Sequence, residues 1–172
     1  MKTNTILVMV SIAVITGIGI YGVSPYFTNT TIDEDLPDNI ATTKDAGIID
    51  SVVMKKEDTV MMEESIPMFY GDFVGVNDGI HNAEGKALVV PLDDGSSILR
   101  LEDFESTNGP DLYVYLSTDK KASDFINLGK LKANSGNQNY EIPHDTDLRT
   151  YNNVLIWCKT FGVLFGNAEL EK

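Results

Sequence analysis

Short apolar runs, separated by clusters of Gly, Asn, Asp and Pro, fill residues 66–172 and constrain the fold more than any other feature of the chain. Runs of this kind are typical of β-strands, and several of them at a spacing of roughly 8–12 residues are typical of sandwiches and barrels. No long amphipathic helical pattern interrupts them. We therefore predict an all-β domain, an antiparallel β-sandwich or barrel-like sheet, with strands near residues 68–74, 84–90, 97–104, 112–116, 128–132, 138–142, 153–159 and 161–165.

Two connections between these strands carry the residues of tight turns. Asp94-Gly95 lies between the second and third strands, and Gly supplies the positive φ that a two-residue hairpin turn needs. Asn134-Ser135-Gly136-Asn137 lies between the fifth and sixth strands. We therefore predict a hairpin at each place, the second one pairing residues 128–132 with 138–142.

An uncharged, mostly apolar run covers residues 5–23. Its length is close to the roughly 20 residues that a membrane-spanning helix needs. Lys2 precedes the run and Asp33 is the first charged residue after it. The excess of positive charge on the cytoplasmic side of spanning helices therefore predicts a single-pass cell-membrane protein with the N-terminus inside and the following chain outside.

A cleaved signal peptide is the alternative for the same run. Gly17, Gly19 and Gly22 are small residues of the kind found near cleavage sites. The run is longer than the usual apolar region of a signal peptide, about 7–15 residues, and this favours an anchor. Under both interpretations the rest of the chain is exported.

Residues 28–65 are strongly acidic and contain no aromatic residue, with ten Asp and Glu against three Lys. A segment of this composition buries too little apolar surface to offset the entropy of the chain. We predict a disordered, self-repelling linker between the anchor and a β domain at residues 66–172.

The formal charge of the whole chain is −13. Binding to nucleic acid depends on clustered Lys and Arg that neutralise phosphates. We therefore expect no nucleic-acid partner.

Cys158 is the only cysteine, so the chain cannot form an internal disulfide. It is the second-last residue of the predicted strand 153–159, where alternation places it on one face with Val154 and Ile156 and places Trp157 on the other. A free cysteine is often simply a small buried hydrophobe. An unpaired thiol in an exported protein is nevertheless unusual enough to make Cys158 the candidate redox residue.

An ordered set of motifs resembles the DM-thirteen domain, which accompanies DOMON domains in Skeletor-type proteins. The most specific is residues 109–117, Gly-Pro-Asp-Leu-Tyr-Val-Tyr-Leu-Ser. Further matches, in chain order, are residues 69–73, His81 with Gly85 and Ala87, and residues 99–104, 128–131, 136–143 and 154–168. The resemblance implies an electron-transfer module at a cell surface. It also implies that the cysteine aligned with Cys158 acts as a free thiol or as a ligand to a prosthetic group.

Two cofactors follow as alternatives, although no motif indicates either. A non-covalent haem would take Cys158 as axial ligand, with Trp157, Phe161 and Tyr140 lining its pocket. Copper would take Cys158 with His81 and His144, since sulfur and imidazole are its usual ligands. However, the residues after Cys158 lack the His and Met that usually follow the cysteine in such copper sites.

We therefore expect a membrane-anchored, extracytoplasmic domain that transfers electrons through Cys158, with a redox protein as its partner. It is not expected to be a stand-alone enzyme. The alternative is a non-catalytic surface binding or adhesion domain in which Cys158 is part of the core.

Overall fold

A computed structural model describes residues 29–41 and 69–172, and within these ranges every regular element is a strand. Residues 29–41 and 69–172 contain no helix that is long and apolar enough to cross a membrane. The predicted membrane segment 5–23 lies outside the described residues. The strands are β1 (Phe69–Gly75), β2 (Ala83–Pro91), β3 (Ser97–Ser106), β4 (Leu112–Ser117), β5 (Phe125–Lys130), β6 (Gln138–Ile142), β7 (Asn153–Cys158) and β8 (Val163–Glu169).

The eight strands form one sheet in the order β5-β4-β7-β8-β1-β2-β3-β6, and every pairing is antiparallel. The sheet curls until the two outermost strands, β5 and β6, come into contact, so it is a nearly closed barrel. The prediction of an all-β, antiparallel, barrel-like domain is confirmed. Closure leaves only the short edges of β5 and β6 unpaired in the sheet, which limits association through exposed edges.

Alternation along the strands builds the core. Leu99 and Leu101 of β3 point into the barrel with Val114 of β4 and Val154 of β7, and each of the four is fully buried. Because successive side chains of a strand face opposite sides of the sheet, the residues between them face outward. The alternating apolar residues of these strands therefore identify the inner face of the barrel.

The predicted hairpin between residues 128–132 and 138–142 is wrong. β5 turns back onto β4 through a short loop, in which the Thr118 amide donates to the Asp124 carbonyl at 3.0 Å. β6 instead pairs with β3 at the other edge of the sheet. The connection between β5 and β6 thus crosses one open end of the barrel. The Asn-Ser-Gly-Asn sequence lies in this crossing and does not form a hairpin turn.

The barrel has two ends, which we name by the residues found there. At the Cys158 end, β1, β3 and β7 finish and β2, β4 and β8 begin. At the Gly95 end lies the predicted Asp94-Gly95 turn between β2 and β3, where the Gly95 amide donates to the Leu92 carbonyl at 3.1 Å.

Residues 29–41, which we call the strap, run along the barrel from one end to the other. Near the Cys158 end the Asn134 amide donates to the Thr30 carbonyl at 3.0 Å. Near the Gly95 end the Asp93 amide donates to the Asn39 carbonyl at 2.9 Å. The first third of the segment predicted as a linker is therefore in contact with the domain, and residues 42–65 lie outside the described residues.

Candidate functional site

Cys158 is the last residue of β7, and its side chain is 1 % exposed. It is paired across the sheet with Leu112 of β4 and Val163 of β8. Its side chain belongs to the same apolar core as Val154 and Ile156. The predicted division of β7 into an inner and an outer face is confirmed, and the thiol lies on the inner one.

Only a short connection separates Cys158 from solvent along the chain. Residues 159–162 join β7 to β8 and are all exposed. The Gly162 amide donates to the Cys158 carbonyl at 2.8 Å, and the Lys159 amide donates to the Asp111 carbonyl at 3.0 Å. Gly162 has a φ of 63°, which allows this tight return. The thiol therefore lies in the core at one end of the barrel, beside a turn held by few hydrogen bonds.

Trp157 faces the opposite side of β7 from Cys158 and is half-buried. Its cross-strand neighbour is Tyr113 of β4, and the Lys159 ammonium lies 5.1 Å from the centre of the Tyr113 ring. Trp157 therefore belongs to an aromatic patch on the outer surface. The structure does not bring its indole and the Cys158 thiol together in one pocket.

Tyr140 lies on β6 and points into the same core as Cys158. Its hydroxyl donates to Gln138 Oε1 at 2.8 Å and accepts from the Lys132 amide at 3.1 Å. Gln138, fully buried, also bonds the amide and the carbonyl of Ala133. Burial raises the pKa of Tyr140 well above its ordinary value, so the phenol stays protonated and acts as a fixed bridge in this network.

The two histidines lie at opposite ends of the barrel. His81 is near the Cys158 end, with its ring 4.6 Å from that of Phe165 and its Nδ1 2.6 Å from Asp78 Oδ2. Hydrogen bonds from the His81 amide and ring and from the Ile80 amide lower the pKa of Asp78 to about 2. His144 is exposed, near Asp94 at the Gly95 end.

This placement does not suit the copper set proposed from sequence, because Cys158, His81 and His144 are not gathered at one point. In residues 29–41 and 69–172, no group of three or more His, Cys, Asp and Glu side chains is arranged to hold a metal ion. The side chains around Cys158 are apolar and packed together, and Trp157 lies on the other face of β7. The described core therefore does not contain the haem pocket proposed from the sequence, which Trp157 was to line. The donor set around the thiol therefore fits neither cofactor.

A polar cluster that the sequence did not predict joins the strap to the barrel. Lys132 Nζ lies 2.8 Å from both carboxylate oxygens of Glu34, and the Asn139 amide donates to Glu34 Oε2 at 2.7 Å. Arg100, only 5 % exposed, donates from Nη1 to the Glu34 carbonyl at 3.0 Å. Partial burial opposes ionisation of Glu34, but these hydrogen bonds and the nearby positive charges outweigh it and lower its pKa below the ordinary value of 4.5.

The cluster borders a cleft of about 460 Å³ at the contact between β5 and β6. Ile98 and Leu128 are apolar residues of its lining, and Lys132 and Glu34 are charged ones. The only sequence signal for this arrangement is Arg100, a charged residue within an apolar strand. A charged side chain that becomes buried needs a charged or hydrogen-bonding partner.

Comparison with known proteins gives one match. A family model described as electron transfer DM13 matches residues 73–170, more than half of the chain. No curated protein and no solved structure matches. The matched range begins within β1 and ends just after β8, so it covers nearly the whole barrel and includes Cys158.

Proposed function

Because the chain belongs to the DM13 electron-transfer family, we propose that its barrel is an extracytoplasmic electron-transfer domain, anchored to the cell membrane by residues 5–23, with Cys158 as the redox-active group. The family match over residues 73–170 is the observation that carries this proposal. The location of the only thiol at one end of the barrel supports it.

The reaction we propose is thiol–disulfide exchange with a redox protein. The Cys158 thiol loses its proton to solvent, and the thiolate attacks one sulfur of a disulfide in the oxidised partner. The S–S bond of the partner breaks, a mixed disulfide forms at Cys158, and the partner's second sulfur leaves as a thiolate. Cys158 and one partner sulfur are then joined: the Cys158 sulfur has formally lost one electron and the leaving sulfur has gained one. A thiolate of a second, electron-donating protein completes the two-electron reduction of the partner by attacking the Cys158 sulfur of the mixed disulfide and releasing the partner's other sulfur as a thiolate.

This reaction requires access to a thiol that is 1 % exposed. We propose that the turn at residues 159–162 opens locally, because those residues are exposed and few hydrogen bonds hold them. Opening would disturb the Gly162–Cys158 and Lys159–Asp111 backbone hydrogen bonds and the hydrogen bond that Thr160 Oγ1 donates to Asp111 Oδ2 at 2.8 Å.

The test is the rate at which the thiol of the full-length protein in detergent reacts with an aromatic disulfide reagent at increasing, sub-denaturing urea. Exchange through local opening exposes little surface, so the rate should be nearly independent of urea. A rate that rises with urea with the slope of global unfolding would show that the thiol is reached only when the domain unfolds, and would sink the proposal.

A matched control places a thiol on the same face of the same strand but away from the turn 159–162. In the double variant Val154→Cys with Cys158→Ala, the thiol occupies a fully buried position at the second residue of β7, toward the Gly95 end. Its rate should follow global unfolding. The visible spectrum of the same preparation, before and after reduction, checks separately for a bound prosthetic group.

A second candidate function is favoured by the burial of the thiol. At 1 % exposure Cys158 has the surroundings of a structural cysteine, and the barrel would then be a surface binding or adhesion domain. Under this reading Cys158 and the control thiol at position 154 would react with the same dependence on urea. The one kinetic comparison therefore separates the two candidates.

A further inference from the structure

The Cys158 end of the barrel carries an unusual set of exposed apolar side chains. Val76 is 43 % exposed, Phe161 is 65 % exposed and Ile80 is 72 % exposed. Val76 and Ile80 belong to the connection between β1 and β2, and Phe161 belongs to the turn between β7 and β8. Single exposed apolar residues are common, but three from two connections at one end indicate an interaction surface.

The strap enters the described structure at this same end. Asn29 accepts a hydrogen bond of 2.6 Å from Asn108 Nδ2, in the loop between β3 and β4. Asn29 and Ile80 line one cleft of about 420 Å³. The chain that precedes Asn29 therefore leaves the barrel beside its most exposed apolar side chain.

The length of the preceding chain limits how far the barrel lies from the apolar run 5–23. Only residues 24–28 separate that run from Asn29. Five residues, fully extended, reach at most about 18 Å. Because the strap is held along the barrel at both of its ends, residues 29–41 do not lengthen this connection. The part of the predicted linker that begins at residue 29 is thus held against the barrel and does not increase the distance between the barrel and the run 5–23.

We infer that the Cys158 end of the barrel faces the outer leaflet and docks on it, with Val76, Ile80 and Phe161 in the lipid headgroup region. The inference rests on the anchoring of residues 5–23 that forms part of the proposed function. Apolar side chains that reach the boundary between headgroups and acyl chains bind a bilayer through the area they bury. The redox candidate would then lie at the end of the domain closest to the membrane.

Charge restricts the kind of lipid that suits this surface. Asp78 is ionised at neutral pH, and Glu84 and Glu105 line the cleft beside Ile80. Anionic headgroups would be repelled by these carboxylates, and the repulsion is screened by salt. We therefore expect docking on zwitterionic phosphatidylcholine and weaker docking when anionic lipid is added at low salt.

The test uses the full chain in phosphatidylcholine nanodiscs with a polarity-sensitive fluorophore on one introduced cysteine, in a Cys158→Ala background. The probe is placed by Ile80→Cys at the docking end and by His144→Cys at the far end, where the side chain is exposed. Lipids carrying a quencher near the headgroup should quench the probe at position 80 severalfold more than the probe at position 144.

The other outcomes overturn the inference. Equal quenching at both positions would mean that the barrel does not rest on the lipid. A probe at position 80 that is protected from aqueous iodide but is not quenched by lipid would mean that a protein or a second copy covers this end. Extraction of the full chain from membranes by alkaline carbonate is measured first, because release would show that the anchoring itself fails, independently of the docking.

Discussion

Lys132 Nζ lies 2.8 Å from each carboxylate oxygen of Glu34, which ties the strap to the loop that closes the barrel between β5 and β6. The same ammonium donates to the Asn139 carbonyl at 2.7 Å and lies 5.2 Å from the centre of the Tyr140 ring. One charge therefore connects the strap, the edge strand and the core. A substitution at Glu34 can therefore weaken the attachment of the strap without altering the inner face of the barrel.

Glu34→Gln should weaken the strap. The substitution removes the ion pair with Lys132 and reduces the acceptor strength offered to the Asn139 amide. Both side chains of the pair are about one third exposed, so we expect a loss of only about 0.5–1 kcal/mol, with faster amide hydrogen exchange in residues 29–41. Asp35→Asn removes the same charge from an exposed neighbour and is the control. Equal exchange in both variants would argue against the ion pair.

Acidification should release the strap. The pKa of Glu34 is lower in the folded protein than its ordinary value of 4.5. A carboxyl with a depressed folded pKa stabilises the fold above its unfolded pKa, and this contribution is lost as pH falls below about 4.5 through the folded pKa. Hydrogen exchange in residues 29–41, corrected for its intrinsic pH dependence, should therefore rise in that window. Glu34→Gln should lack this rise; a rise of the same size in the variant would assign it to other carboxyls.

Gly136→Ala should disrupt the crossing between β5 and β6. Gly136 has a φ of 96°, and a Cβ there would collide with the Ile32 carbonyl of the strap. The backbone conformation alone costs about 1 kcal/mol for a non-Gly residue, and the collision adds to it. Gly129→Ala is the matched control, since Gly129 also has a positive φ, of 125°, but its Cβ would meet open space. Urea unfolding should show the larger loss for Gly136→Ala; equal losses would mean that the strap moves aside at no cost.

Tyr140→Phe should cost stability through a backbone group. The Lys132 amide loses its acceptor, whereas Gln138 Oε1 keeps the Ala133 amide as a donor. A fully buried donor left unpaired costs about 1–3 kcal/mol, and the Lys132 amide is part-buried, so we expect a loss toward the lower end of that range. Tyr151→Phe is the control, because its hydroxyl bonds Asp124 at an exposed position. A loss no larger than that of the control would indicate that water replaces the phenol at Lys132.

The local pattern predicted the strands because burial on one face imposes a period of two. β6 was predicted at residues 138–142 and is observed at Gln138–Ile142, and β3 was predicted two residues short of its observed end at Ser106. The pairing of β5 was not predictable in the same way. Both Asn134-Ser135-Gly136-Asn137 and the loop 118–124 have turn-forming composition, and only closure of the barrel decides which one makes a hairpin.

The surroundings of Cys158 were partly predictable and those of Glu34 were not. Alternation along β7 places Cys158 with Val154 and apart from Trp157, and the structure confirms this. The contact of the acidic strap with the barrel depends on Lys132 and Arg100, which are distant in sequence. Composition alone indicates a linker, because it gives the charge of the segment but not its contact with the buried guanidinium of Arg100.

Cys158→Ser should destabilise the barrel more than Cys158→Ala does. The thiol lies in an apolar core, where a hydroxyl of similar size would need a hydrogen-bond partner. A buried hydroxyl without one costs about 1–3 kcal/mol, whereas alanine leaves only a small cavity. Urea unfolding followed by the fluorescence of Trp157, the only tryptophan, measures both variants against the native chain. A serine variant as stable as the alanine variant would mean that the site admits water, which would place the thiol within reach of solvent in the native state.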